Sequence, residues 1–159
     1  MKNEEVVRLY DLYANDLYRL ALSYLGSKQD AEDVVQDVYL KLLNKVFSLK
    51  SDCEKSYLMK MTANRCKNML SSSAYKTGVD LETASAEIAC FYELTDHDKD
   101  VYEALMAIDD SVRVPIYLFY YEGYQYNEIA KILNLSDSAV AMRIKRGKEH
   151  LKEKLERLS

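Results

Sequence analysis

Between Val6 and Leu25 apolar residues stand at Val6, Leu9, Tyr10, Tyr13, Leu17, Leu20, Ala21 and Tyr24, among others. Steps of three and four place them on one side of a helix. Gly26 ends the run. Asp30, Glu32 and Asp33, around Ala31, then load acids into the start of a second helix, where the helix dipole favours them. Val34, Val35, Val38, Tyr39, Leu42 and Leu43 carry it on. A third helix is predicted from about Glu54 to Leu70, with Tyr57, Leu58, Met61, Thr62, Arg65 and Met69 on related faces. Past residue 100, Val101, Leu105 and Ile108 suggest another, and Ile116, Leu118, Phe119 and Tyr120 the next. The chain has four Gly, one Pro and no Asn-Gly hairpin signal, so the pattern predicts an all-α fold.

The segment YNEIAKILNLSDSAVAMRIK (126–145) has the spacing of a helix-turn-helix. Two short helices crossing at a wide angle need a small residue where they touch, and Ala130 supplies it. Their turn needs positive φ, which Asn134 tolerates best after Gly. Ser136 and Asp137 can cap the second helix. Val140 and Ile144 face inward, toward Ile129 and Leu133. The outward face carries Ser138, Ala141, Met142, Lys145 and Arg146, and Arg143, Lys148 and Lys152 extend its basic character. Small side chains followed by cations suit a helix entering a major groove.

A net charge of −4 fits a DNA binder poorly until it is resolved along the chain. Residues 1–76 carry net +2, residues 77–110 net −9 and residues 111–159 net +3. Two near-neutral or basic blocks therefore flank an anionic connector. This divides the chain into a domain over 1–76, an acidic linker over 77–98 and a helix-turn-helix domain over 99–159. Cys53, Cys66 and Cys90 form no CxxC pair, and with only His97 and His150 beside them neither a metal site nor any cofactor is expected. No apolar run approaches bilayer length and the N-terminus lacks an apolar signal region, so a cytoplasmic protein without membrane insertion is expected. No nucleophile–base pair or Gly-rich phosphate loop is evident, which argues against an enzyme.

LYRLALSYLGSKQDAEDVVQDVYLKLL (17–43) resembles the core-binding region of the sigma-seventy superfamily, and KSYLMKMTANRCKNML (55–70) is similar to the promoter-melting segment that follows it. Residues 112–151 resemble the last sigma domain. The short length looks like an extracytoplasmic-function sigma factor of bacterial RNA polymerase. The resemblance implies that Asp30, Asp33, Gln36 and Asp37 dock on core polymerase, with Leu40 and Lys41 near the edge. Carboxylates there suit an Arg-rich partner. Tyr57, Lys60, Asn64, Arg65 and Lys67 would hold the minus-ten element as a separated strand, using an aromatic and an amide for flipped bases and cations for phosphates. Arg113, Ser136, Ser138, Ala139, Ala141, Met142, Arg143, Lys145, Arg146 and Lys148 would engage the minus-thirty-five promoter DNA. Arg113 and Lys131 fall near expected helix starts, where amides and a cation can hold a phosphate. The resemblance further implies control by an anti-sigma factor.

Some positions depart from the family pattern. Ser71, Ser72 and Ser73 stand where a basic cluster is typical, Asn68 where Asp is common, and Ala139 and Ala141 where Thr and Lys are commoner. Fewer cations predict weaker, less salt-sensitive backbone binding. Gly147, within a helix, implies close approach to a neighbouring helix or to DNA. Tyr120, Tyr121, Tyr124 and Tyr126, at helical spacing beside the helix-turn-helix, read as packing groups. Two other functions fit parts of the chain: a regulator that binds a palindrome as a dimer without polymerase, or a helical adaptor with no role on DNA.

Overall fold

A computed structural model describes residues 1–45, 48–72 and 96–158. Ser73, Cys90 and the linker positions 77–95 lie outside the described residues. Seven helices are described: α1 (Asn3–Leu25), α2 (Lys28–Leu43), α3 (Glu54–Ser71), α4 (Asp96–Met106), α5 (Asp110–Tyr120), α6 (Tyr126–Leu133) and α7 (Asp137–Leu158). No strand occurs among the described residues, in keeping with the all-α expectation. α4 begins at Asp96, inside the stretch assigned from charge to the linker.

Helices α1–α3 form the first bundle, and local chemistry sets their ends. Gly26 takes a left-handed φ of 66° and its N–H returns to Leu22 O, closing α1 as glycine C-caps do. One residue on, Ser27 Oγ accepts from Asp30 N at 3.3 Å and opens α2. Leu9, Leu17, Leu20, Val34, Val38, Leu42 and Leu58 are buried between the three helices. Tyr39 reaches across to donate to Leu9 O at 3.0 Å. Glu54, at the start of α3, is buried too. It accepts from Arg8 Nη2 at 2.5 Å and from Tyr13 OH at 3.2 Å. The Arg8 hydrogen bond is the largest influence on the Glu54 carboxyl and, against the opposing effect of burial, holds it below the usual carboxylate range.

The second half is built on the helix-turn-helix. Asn134 is the one non-glycine residue with positive φ among those described (φ 57°, ψ 51°), and its N–H bonds Ala130 O. Ser136 Oγ accepts from Ala139 N at 3.1 Å and caps α7. Ile129, Ala130, Leu133, Val140 and Ile144 are all buried, as the spacing requires. Lys131 differs from expectation. It lies in the last turn of α6, where a cation suits the helix dipole, not at a helix start. The tyrosines also divide. Tyr124 and Tyr126 are half-buried, but Tyr120 and Tyr121 are exposed and do not pack as core.

Gly147 is buried where α7 crosses α5. A Cβ there would stand 1.9 Å from Ile116 Cδ1 and 2.7 Å from its Cγ1, with Val112 O at 3.2 Å. Ile116 is itself in the core and has little room to move. The close approach is therefore to a neighbouring helix. A Cβ 1.9 Å from a core methyl group places the overpacking cost in the upper part of the usual range, at about 2–3 kcal/mol, and better helix propensity returns about 1, so we predict that Gly147→Ala destabilises the protein by about 1–2 kcal/mol. Thermal or urea unfolding measures it, and an unchanged midpoint would refute the packing account.

The two halves pack on one another. A single apolar cluster runs from Leu9 and Leu58 through Val114 and Leu118 to Ile129 and Ile144. No helix among the described residues is long and apolar enough to cross a membrane.

Candidate nucleic-acid interface

Three surfaces carry the expected site residues. On α2, Asp30, Asp33 and Asp37 recur at three- and four-residue steps, so they share one side of the helix. Asp33 and Gln36 are exposed; Asp30 and Asp37 are partly so. Asp37 is already engaged, with Arg65 Nε at 2.8 Å and Lys41 Nζ at 3.4 Å. Leu40 stands out into solvent beside them.

On α3, Tyr57, Lys60, Asn64 and Lys67 also follow one another at steps of three and four and line one side. Lys60 and Asn64 are exposed. Tyr57 is half-buried and has Lys45 Nζ 4.9 Å above its ring, so the ring already supports a cation on one face. Arg65 turns away from this row toward α2 and pairs with Asp37. Lys67 ends the row and donates to Leu133 O of α6 at 3.1 Å. Burial, with Arg143 adding to it, lowers the Lys67 ammonium pKa from its ordinary value.

On α7 the inward residues Val140, Ile144 and Gly147 fix the opposite side, which presents Ser138, Met142, Lys145 and Arg146 to solvent. Met142 is 54% exposed, high for an apolar side chain. Ser136 lies exposed just before the helix, while Ala139 and Ala141 border the outer face half-buried. Arg143 and Lys148 flank it. Lys148 Nζ lies 5.3 Å above the Tyr120 ring. Arg143 Nη1 donates to Ser111 O at 3.2 Å. That carbonyl is available because Pro115, four residues on in α5, has no N–H to offer it.

Arg113 corrects the sequence reading. It was expected on DNA phosphate, yet only 6% of it is exposed. Its Nε and Nη2 donate to Ser23 O (2.6 Å) and Tyr24 O (2.8 Å) at the end of α1, and its Nη1 to Ile108 O (2.6 Å). The last turn of α1 has no basic residue of its own, so its carbonyls take a cation from ninety residues downstream. A second group, Arg19 with Glu122, left no mark in the sequence pattern. Arg19 Nε lies 2.8 Å from Glu122 Oε1, and Tyr117 OH donates to the same oxygen at 2.5 Å. Burial raises the Glu122 carboxyl, but these hydrogen bonds outweigh it and leave its pKa below the ordinary value. Among the described residues no cluster of His, Cys, Asp and Glu could hold a metal ion.

A three-helix bundle with an acidic stripe, joined to a helix-turn-helix with an exposed basic face, defines a DNA-binding protein of the transcription machinery. Residues 9–74 match the family description Sigma-70 region 2, and residues 98–151 match Sigma-70, region 4. The chain is 27% identical over 164 residues to the ECF RNA polymerase sigma factor SigX of Bacillus subtilis, covering 94% of this chain and 83% of that protein. It is 22% identical over 148 residues to SigM of the same organism, covering 91% of each. In fold it is similar to CnrH in complex with the cytosolic domain of CnrY (TM-score 0.73, 23% identity, 99% of this chain and 92% of that one). It is also similar to the sigma factor RpoE in complex with the anti-sigma factor NepR from Bartonella quintana (TM-score 0.67, 21% identity, 92% and 94%). The chain belongs to the sigma-70 family, in its extracytoplasmic-function branch, and is an RNA polymerase sigma factor.

Proposed function

We propose that one copy of this chain binds bacterial core polymerase through Asp30, Asp33, Gln36 and Asp37 on α2 and reads two unlike promoter elements. Tyr57, Lys60, Asn64, Arg65 and Lys67 take the minus-ten strand. The outer face of α7, with Ser136, Ala139, Ala141, Arg143 and Lys148 around it, takes the minus-thirty-five duplex. The observation that supports this best is the pair of separate exposed rows, on α3 and on α7, in one chain. The first offers a ring, an amide and cations, which suit unstacked bases and phosphates. The second offers a small, apolar and then basic helix face, which suits a major groove. The role is non-enzymatic and cytoplasmic: binding energy offsets strand separation, and the bond-forming chemistry stays with polymerase. Residues 1–76 and 99–159 are the two working domains. Because RpoE of Bartonella quintana is held by an anti-sigma factor, control of this chain by such a protein belongs to the same reading.

Stoichiometry tests it. Mass photometry of the chain with core polymerase and promoter-bearing genomic fragments should give one copy per polymerase. A dimer on DNA without polymerase would instead establish the free-standing regulator.

A further inference from the structure

We propose that the seam between the two halves of the chain binds one phosphate ion, through Tyr24 and Lys67 of the N-terminal half and Asp110 and Arg143 of the C-terminal half. These four side chains line one cavity of about 110 Å³, walled on its apolar side by Val114, Leu133 and Leu135. At about 30 Å³ per water the space equals about three or four waters, enough for a tetrahedral oxyanion and too little for a nucleoside. Lys67 gives one N–H to Leu133 O at 3.1 Å and Arg143 one to Ser111 O at 3.2 Å, and each cation has further donors to offer. Tyr24 adds a neutral donor. It is 3% exposed, and its hydroxyl makes no hydrogen bond to any described residue. Asp110 and Arg143 both act on that hydroxyl electrostatically, which places them close to it. Burial, the largest influence, raises its pKa, so it keeps the proton it would donate.

An anion answers an imbalance that the protein leaves open. Two cations and one carboxylate give the cavity a surplus of positive charge. Lys67 registers it: loss of solvent lowers its ammonium pKa first, the Arg143 charge lowers it further, and Asp110 opposes both. Between apolar walls that repulsion is poorly screened, and an anion held by both cations converts it to attraction. Asp110 selects which anion. At neutral pH phosphate keeps at least one O–H, which can donate to the carboxylate; sulfate keeps none and meets it as a like charge. The four residues come from α1, α3, α5 and α7, so no single helix terminus makes the site. Lys67 and Arg143 also belong to the promoter-directed surfaces, but Tyr24 and Asp110 do not, and only the packed halves bring the four together.

Equilibrium dialysis of the full chain against labelled inorganic phosphate, with ionic strength held constant by chloride, tests this. One phosphate per chain should bind, and sulfate should need an at least roughly tenfold higher concentration to displace it. Tyr24→Phe should weaken binding about fivefold, while the unfolding midpoint without phosphate stays level or rises, because no native hydrogen bond is lost. Lys67→Met, which removes a charged donor, should weaken it by at least roughly tenfold. Asp110→Asn should erase the preference for phosphate over sulfate. Adenosine monophosphate as a second competitor separates the free ion from a phosphate carried on a larger molecule. It should displace poorly for want of room; displacement equal to that by phosphate would keep the site and make its ligand a monoester. Absence of binding, sulfate competing as well as phosphate in the wild type, or full affinity in Tyr24→Phe overturns the inference. The dialysis contains neither DNA nor polymerase, so its failure would leave the promoter reading untouched.

Discussion

Reversing the charge of Asp33 and Asp37 together, as Asp33→Arg/Asp37→Arg, is expected to abolish capture of core polymerase. Both residues lie on one side of α2, and Asp33 makes no ion pair among the described residues. Its carboxylate is thus available to an external guanidinium, which it can accept in two-point fashion. Asp37 already holds Arg65 and Lys41, so a partner must compete for it. Breaking a desolvated charge pair at an interface costs about 2–5 kcal/mol, and two reversals add repulsion. Affinity should fall at least roughly a hundredfold. The fold should survive, because neither residue is in the core and part-exposed pairs contribute about 1 kcal/mol or less. Pull-down of purified core polymerase, with circular dichroism as the control, reads both outcomes. Retained capture would move the docking surface elsewhere.

Neutralising the recognition helix should have an effect of similar size and opposite selectivity. In Arg143→Ala/Lys145→Ala/Arg146→Ala the outer face of α7 loses its charge while Val140 and Ile144 still hold the helix in place. Lys145 and Arg146 are exposed and free to meet phosphates. Arg143 is half-buried on Ser111 O and contributes less to binding, and more to holding α7 on α5. Two lost phosphate contacts should flatten the slope of log K against log salt by about 1.8, at about 0.9 per contact. Upstream-element binding should weaken roughly a hundredfold near physiological salt, with capture of core polymerase unchanged. An unaltered salt slope would contradict the assignment of this face. The docking and recognition variants should therefore fail separately, each sparing the step the other removes, and a helical adaptor with no role on DNA would show no effect from the second.

The helix-turn-helix was legible in the sequence because its determinants are local. A small residue at 130, a residue tolerant of positive φ at 134 and a branched residue at 140 are each required within a few residues of where they stand. The same holds for the ends of α1 and α2 at Gly26 and Ser27. The outer rows of α2 and α7 were legible for a related reason: once periodicity fixes the buried side of a helix, the opposite side follows; the row on α3 came from the family resemblance alone. What the sequence did not disclose depends on partners far along the chain. Arg113 read as a phosphate contact because a cation near a helix start usually faces solvent. Its carbonyl partners, Ser23 and Tyr24, are ninety and eighty-nine positions away. Glu54 entered the sequence reading only as the approximate start of α3, because its partners Arg8 and Tyr13 lie more than forty residues away. Arg143 looked free because the carbonyl that Pro115 leaves unpaired at Ser111 becomes a partner only when α5 lies beside α7. Tyr120 and Tyr121 carried no mark separating them from Tyr124 and Tyr126, since helical spacing reports periodicity and not which turn ends against solvent.

The central claim is that this chain confers promoter-specific initiation on core polymerase, and transcription reconstituted from purified parts tests it most directly. Core polymerase would be supplied with a fragmented bacterial genome and nucleotides, with and without this protein, and the 5′ ends of the transcripts mapped. The account predicts new, discrete start sites that share two unlike upstream elements, that require the protein and that disappear with either variant above. A transcript map unchanged by adding the protein, under conditions where another sigma factor directs initiation, would contradict it.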